Sequence, residues 1–185
     1  MKRVLDLVVS LIALVILFVP LLLVWLAVKF TSSGPGLFWS DRVGRDGKIF
    51  RMPKFRTMTT CSKVVSREKV CEKDITLTPI GQFLRKTSID ELPQLYSVLV
   101  GHMSLIGPRP VLPEDEATQL RSNCTDTMKI RPGITGLAQV KGRNNVSPRR
   151  KAQYDAFYAR NMCMVFDAKI LAKTVQILHR TDFVR

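Results

Sequence analysis

Hydrophobic positions are spread unevenly along this chain. Residues 7–28 carry no charge, and Ser10 is the only hydroxyl among them. A helix of that length would reach roughly 33 Å, enough to cross the apolar core of a bilayer. A cleaved secretion signal is not expected, because the run is too long and no A-x-A site follows it. Positive charge stands on both sides, with Lys2 and Arg3 before the run and Lys29 after it. The positive-inside preference then favours both ends in the cytoplasm. Pro20 removes the amide that would bond the Ile16 carbonyl, and it favours a kink. Together these features predict a membrane helix over residues 1–30 that enters, bends and returns to the same face. A kinked single-pass anchor is the alternative.

After residue 30 the pattern becomes that of a water-exposed domain, residues 31–185. Thr31-Ser32-Ser33-Gly34-Pro35-Gly36 has the composition of a turn. The stretch "LFWSDRVGRDGKIFRMPKF" predicts a short β-hairpin that turns at Val43-Gly44-Arg45-Asp46-Gly47 and returns from Ile49-Phe50. Residues 61–76 are polar and mixed in charge, which predicts a mobile loop. Residues 78–86 predict a short amphipathic helix with Thr78 as its cap and Pro79 at its first position. Its basic end would suit a membrane surface, and ordinary core packing is the other reading. Leu92, Leu95, Tyr96 and Leu99 recur at helical spacing. Near the end, Phe166, Ile170, Leu171, Val175 and Leu178 form a stripe, predicted as core, with a second interfacial helix as the alternative. The fold class expected is mostly α with a small β-hairpin element: a compact cytosolic α/β domain with interfacial amphipathic helices behind the re-entrant helix.

Charge narrows the choice of partners. The 185 residues carry a formal net charge of +14, which points to an anionic partner: nucleic acid, a phosphate-bearing substrate or acidic lipid. The charge is clustered. Arg42, Arg45, Lys48, Arg51, Lys54 and Arg56 face a single Asp46 within residues 42–56, and Lys141, Arg143, Arg149, Arg150 and Lys151 form a second group. The four cysteines have no C-x-x-C spacing and no neighbouring histidine, so neither a zinc site nor a disulfide framework is expected.

Within this basic chain Asp90 and Glu91 are adjacent in "SIDELPQL". Ser88 and Glu91 have the spacing of a capping box, but that frame puts Pro93 at the fifth helical position, where its missing amide costs a bond. A helix starting at Asp90 tolerates the proline better and would let backbone amides stabilise the Asp90 carboxylate as an anion. Neighbouring helical side chains point about 100° apart. One carboxylate could therefore face an electrophile while the other holds a cation. That division suits phosphoryl chemistry, in which an aspartate attacks phosphorus and magnesium offsets charge. Arg109, between Pro108 and Pro110, would present a planar fork to phosphate oxygens.

Several segments in order carry a resemblance. They are Lys2-Arg3 with Asp6, Arg42-Val43-Gly44, "KFRTM" from Lys54, "SIDELPQL" from Ser88, "MSLIGPRP" from Met103, "RPGITGLAQVKGRN" from Arg131 and "YDAFYARN" from Tyr154. In this order the chain resembles the small monotopic phosphoglycosyl transferases, bacterial sugar transferases that initiate glycoconjugate assembly on polyprenyl phosphate. The resemblance implies that Asp90 attacks the β-phosphorus of a UDP-sugar and releases UMP. Polyprenyl phosphate then takes the phosphosugar from the aspartate. It further implies that Glu91 binds Mg2+, that Lys54, Arg56 and Arg109 hold phosphates, and that Arg131 and Arg143 lie near the nucleotide. The implied location is the bacterial inner membrane with the site facing the cytoplasm. The partners are a UDP-sugar, polyprenyl phosphate and membrane lipid, with no role for nucleic acid; a homodimer stays open.

The chain departs from the family pattern in two places. Val19 precedes Pro20 where the family usually has serine, and His102 stands where it has aspartate. The sugar is not named by the sequence, although "ITGLAQVKGRN" leans toward the bacillosamine-type enzymes and an N-acetylated UDP-sugar. A membrane-anchored basic module without catalysis, or a glycosyl transferase releasing UDP, are the competing readings.

Overall fold

A computed structural model describes residues 1–59, 77–122, 124–142 and 146–178. The expected loop over residues 61–76 lies outside them. The first element, α1 (Lys2–Thr31), is helical throughout, with Pro20 inside it. It is the one helix among the described residues long and apolar enough to cross a membrane. Its middle is exposed apolar side chain, including Leu11, Val15, Ile16, Phe18 and Val19, whereas Asp6, Ser10 and Val28 near its two ends are buried.

The hairpin forms as expected. β1 (Leu37–Val43) and β2 (Ile49–Phe55) run antiparallel, pairing Leu37 with Phe55 and Val43 with Ile49. A 3-10 turn over Arg45–Gly47 joins them. It requires left-handed backbone at Asp46 (φ 57°) and Gly47 (φ 74°), which aspartate and glycine tolerate best. One face of the hairpin buries Phe50 and Met52 against Val98 and Met103, with Leu105 and Ile134 beside them.

The next helix, α2 (Gly81–Thr87), starts later than its sequence predicts, with Ile80 rather than Thr78 at its cap. Thr78 contributes its carbonyl to the Gly81 amide at 2.8 Å, while its buried hydroxyl has no partner among the described residues. The correction has a local cause: the Thr78 amide is already committed to the Thr57 carbonyl at 3.0 Å, which holds Thr78 as part of the approach to the helix. α3 (Gln94–Leu99) buries Leu95 and Val98 together with Gln94 and Ser97, while Tyr96 is exposed. The regular apolar stripe predicted there is therefore mixed.

A second sheet was not anticipated. β3 (Ser104–Ile106), followed by α4 (Glu116–Ser122) and α5 (Thr125–Met128), pairs in parallel with β4 (Gly133–Thr135). Strands of three residues are too short to show a period of two in sequence. The pairing needs backbones in close approach, since a Cβ on Gly133 would meet the Gly107 nitrogen at 2.1 Å. α6 (Leu137–Val140), α7 (Pro148–Arg160) and α8 (Met164–Leu178) complete the described fold. Ser147 caps α7 through its side chain, with Pro148 at the first turn. On α8 the predicted stripe divides. Ile170 and Phe166 pack with Ile106, Leu137 and Tyr158, whereas Leu171 and Val175 are about half exposed. The fold is mostly helical, with two small two-stranded sheets among the described residues.

Both ends of α1 dock on this domain. Lys2 pairs with Asp167 of α8 at 2.6 Å. Arg3 donates to the Val98 and Leu99 carbonyls at 2.6 and 3.0 Å. Asp6 accepts from the Ser104 hydroxyl at 2.8 Å and the Leu105 amide at 3.2 Å. At the other end Val28 joins Phe55 and Leu84 in a third apolar cluster, with Ile89 packed against it.

Candidate active site

The acidic pair lies where α2 hands over to α3. Ser88 adopts left-handed backbone (φ 59°) and closes α2, so it is not the cap of a capping box. A 3-10 turn over Ile89–Glu91 follows, closed by the Glu91 amide on the Ser88 carbonyl at 3.2 Å and the Leu92 amide on the Ile89 carbonyl at 3.1 Å. Pro93 then stands at the N-cap of α3, where its missing amide costs nothing. The expected helix start at Asp90 is thus corrected to Gln94. The tight turn still points the two adjacent side chains in different directions.

Those side chains meet different surroundings. The Glu91 Oε1 accepts from Lys54 Nζ at 2.8 Å and from Arg109 Nη2 at 2.7 Å. Burial would raise the Glu91 pKa, but Arg109 and Lys54 outweigh it and hold the carboxyl well below the usual range. Asp90 is 8% exposed, and among the described residues no hydrogen bond ends on its carboxylate. Burial, reinforced by the charge of Glu91, pushes its pKa up to about 6 against the opposing pull of Lys54, Arg85 and Arg109. The expectation of an amide-stabilised Asp90 anion is therefore corrected: desolvation is the larger effect because the turn aims no amide at it. Lys54 is pulled below its ordinary value by burial, against the attraction of Glu91. Arg109 is raised, chiefly by Glu91.

A small cleft adjoins this cluster, lined by Arg42, Met52, Lys54, Gln94, Arg109, Pro110 and Ile134. Arg42 is held below its ordinary pKa by burial and by Arg109. Glu91 thus lies among cations whose charge exceeds its own, and an anionic ligand fits such a wall.

Of the residues singled out in the sequence, Lys54, Asp90, Glu91 and Arg109 lie together. Arg56 does not join them. β2 ends at Phe55, so the alternation that would align Arg56 with Lys54 is broken. The Arg56 guanidinium, 4% exposed, donates to the Ser32 carbonyl and hydroxyl, both at 2.7 Å. Its other two nitrogens are buried and have no hydrogen-bond partner among the described residues. Arg131 donates to the Gly101 carbonyl at 2.8 Å and makes no contact with Glu91. Arg143 lies outside the described residues. His102 is exposed, with its ring 5.4 Å from that of Phe50.

Sequence reasoning assigned no role to Arg42, Arg85 or Gln94. For Arg42 a signal existed: the hairpin register puts Phe38, Ser40 and Arg42 on the face shared with Phe50, Met52 and Lys54. Arg85, which donates to the Thr57 hydroxyl at 2.9 Å, and Gln94 carried no such signal.

The profile of the bacterial sugar transferase family matches residues 1–181. The chain belongs to that family. It is 38% identical over 200 residues to the undecaprenyl-phosphate galactose phosphotransferase of Salmonella typhimurium, covering 98% of this chain and 41% of that protein. It is 39% identical over 181 residues to the UDP-glucose:undecaprenyl-phosphate glucose-1-phosphate transferase of Klebsiella pneumoniae, covering 94% and 39%. Against the exopolysaccharide production protein ExoY of Sinorhizobium fredii it is 36% identical over 189 residues, covering 94% and 83%. The chain therefore spans about two fifths of the first two relatives and most of the third. The Lys54–Glu91–Arg109 cluster and the N-terminal apolar helix both fall inside the part that defines this bacterial sugar transferase.

Proposed function

We propose that this sugar transferase moves a sugar-1-phosphate from a UDP-sugar to polyprenyl phosphate through a phosphosugar bonded to Asp90. The observation that carries the reading is the contrast within one turn. Among the described residues no hydrogen bond ends on the Asp90 carboxylate, whose pKa burial pushes up to about 6, next to a Glu91 locked between Lys54 and Arg109. A carboxylate without hydrogen bonds is a better nucleophile than one already satisfied.

In the first step an Asp90 oxygen bonds to the β-phosphorus, and the bond from that phosphorus to the bridging oxygen breaks. UMP leaves with the bridging oxygen and its electron pair. In the second step an oxygen of polyprenyl phosphate bonds to the same phosphorus, and the Asp90 carboxylate is restored. Lys54, Arg109 and Arg42 offset charge on the phosphates throughout, which lowers the repulsion between two anionic substrates.

Mg2+ fits this donor set in part. Magnesium takes one or two carboxylates plus substrate phosphates, and Glu91 is kept anionic, although one of its oxygens already serves two cations. Among the described residues no three acidic, histidine or cysteine side chains gather for a metal, so substrate oxygens would complete the shell. The ion would supply charge neutralisation at the diphosphate.

A helix that turns back near Pro20 is supported by where α1 docks. On a straight helix Arg3 and Val28 would lie about 38 Å apart. Their docking points, the Val98 carbonyl and the Ile89 cluster, are joined by nine residues of helical and 3-10 backbone, about 14 Å. Re-entry would hold Asp90 at the headgroup level on the cytoplasmic face of the inner membrane. The names of the relatives carry glucose and galactose, which puts UDP-hexoses beside N-acetylated UDP-sugars as candidate donors.

The test uses purified enzyme and donor alone, across a panel of UDP-sugars. Intact mass should rise by one phosphosugar, on the peptide containing residue 90, with stoichiometric UMP. Release of UDP, or no adduct with any donor that turns over, would overturn the reading.

A further inference from the structure

Arg109 is held from behind as well as in front. Its side chain reaches Glu91, and its backbone carbonyl accepts from Arg121 Nη1 at 2.6 Å. Arg121, on α4, is 6% exposed, and Asp155, on α7, is 1% exposed. Arg121 gives Asp155 Oδ2 two further hydrogen bonds, from Nε at 2.9 Å and from Nη2. One guanidinium thus joins α4, α7 and the Arg109 loop. The rest of that loop is tied to the short sheet: the Gly107 amide to the Thr135 carbonyl at 2.9 Å, and the Pro108 carbonyl to the Gly133 amide at 2.8 Å. The Arg109 carbonyl is the next group along, and its partner is a buried side chain rather than a strand.

We propose that Arg121, oriented by Asp155, is a positioning residue that sets the reach of Arg109 toward Glu91 and the substrate phosphates. A planar fork suits this task. Two of its nitrogens are committed to the carboxylate, which leaves the third at a defined angle toward the carbonyl. A lysine would keep the charge beside Asp155 but could not hold both directions at once. Misplacing a catalytic contact by about 1 Å can cost on the order of a hundredfold in rate. The inference rests on the function proposed for Arg109, and its test separates the two.

The test is a double-mutant cycle on UMP release in detergent or nanodiscs, using R121K, R109Q and the pair. Arg121→Lys should lower kcat about tenfold or more. On the Arg109→Gln background it should add almost nothing, because its target is gone. A second variant, R121M with D155L, replaces the ion pair by apolar side chains and guards against misfolding. It should fold, judged by melting, and lose turnover to the same extent as R121K. Undiminished turnover in both Arg121 variants would overturn the proposal. So would a loss that multiplies in full with that of R109Q, because Arg121 would then act by another route. Full activity in R109Q itself would overturn the role of Arg109 and this inference with it.

Discussion

Asp6, in the second turn of α1, and Ser104, at the start of β3, meet in a buried hydrogen bond of 2.8 Å. The same carboxylate takes the Leu105 amide at 3.2 Å. The contact joins α1 to the strand that leads directly into Gly107-Pro108-Arg109. Tyr158 strengthens this junction from the other side, donating to Asp167 at 2.6 Å while Asp167 pairs with Lys2. Asp6→Ala would leave the buried Ser104 hydroxyl and Leu105 amide without this acceptor. Hydrogen bonds to a charged group are worth about 1.5–3 kcal/mol, so chemical denaturation of the purified protein should show a loss of about 2–3 kcal/mol.

The proposed role of Asp90 sets an acid limb on turnover. A nucleophilic carboxylate has to be the anion, and burial pushes the Asp90 pKa up to about 6. UMP release should be flat above pH 7 and should fall about tenfold per unit well below pH 6. A limb near pH 4 would mean that Asp90 is solvated in the working enzyme.

The same shift makes Asp90 a stability cost at neutral pH. Its folded pKa, about 6, is above the ordinary aspartate value of 3.8. The folded state therefore holds the proton more tightly. That contribution is fully present below about pH 4 and is lost as pH rises through about 6. Asn in place of Asp90 should abolish turnover and stabilise the protein at pH 7 by up to about 3 kcal/mol. The gain should shrink to nothing near pH 4, as read by melting curves at both pH values.

Glu91→Gln keeps an acceptor oxygen but removes the negative charge shared by Lys54 and Arg109, which leaves two cations without their counter-charge. Turnover should drop by about two to three orders of magnitude, the cost typical of losing one preorganised electrostatic contact at a transition state. The position of the Asp90 limb should also shift. Without the Glu91 anion the pKa of Asp90 falls, and the remaining activity should persist to lower pH.

Arg56 is expected to behave as a structural residue. It holds Ser32, the residue that closes α1, so Arg56→Lys should lower the melting temperature by several degrees. The KM for UDP-sugar should stay within about twofold of the parent, whereas Lys54→Met should raise it about tenfold or more, a loss of about 1.4 kcal/mol. A large KM effect from Arg56→Lys with unchanged melting would return Arg56 to the phosphate site.

Much of this molecule is local in origin and so was legible along the chain. The apolar helix, the hairpin with its Asp46-Gly47 turn, and the Asp90-Glu91 pair each rest on neighbouring residues. The ordered motifs also pointed to the family that the match over residues 1–181 then established. The three-residue strands β3 and β4 lay below the length at which alternation becomes visible. Thr78 satisfied the rule for a cap but was drawn away by Thr57.

Tertiary structure alone decided which cations share a site and which way each carboxylate titrates. Lys54 and Arg56 are two residues apart and equally basic in sequence. Only the end of β2 at Phe55 sends one to Glu91 and the other to Ser32. Asp90 and Glu91 are neighbours of the same charge, yet burial raises one while two guests from distant segments lower the other. Local pattern follows from backbone geometry over a few residues. Charge placement and desolvation follow from which remote segments pack together, and no short window of sequence contains that information.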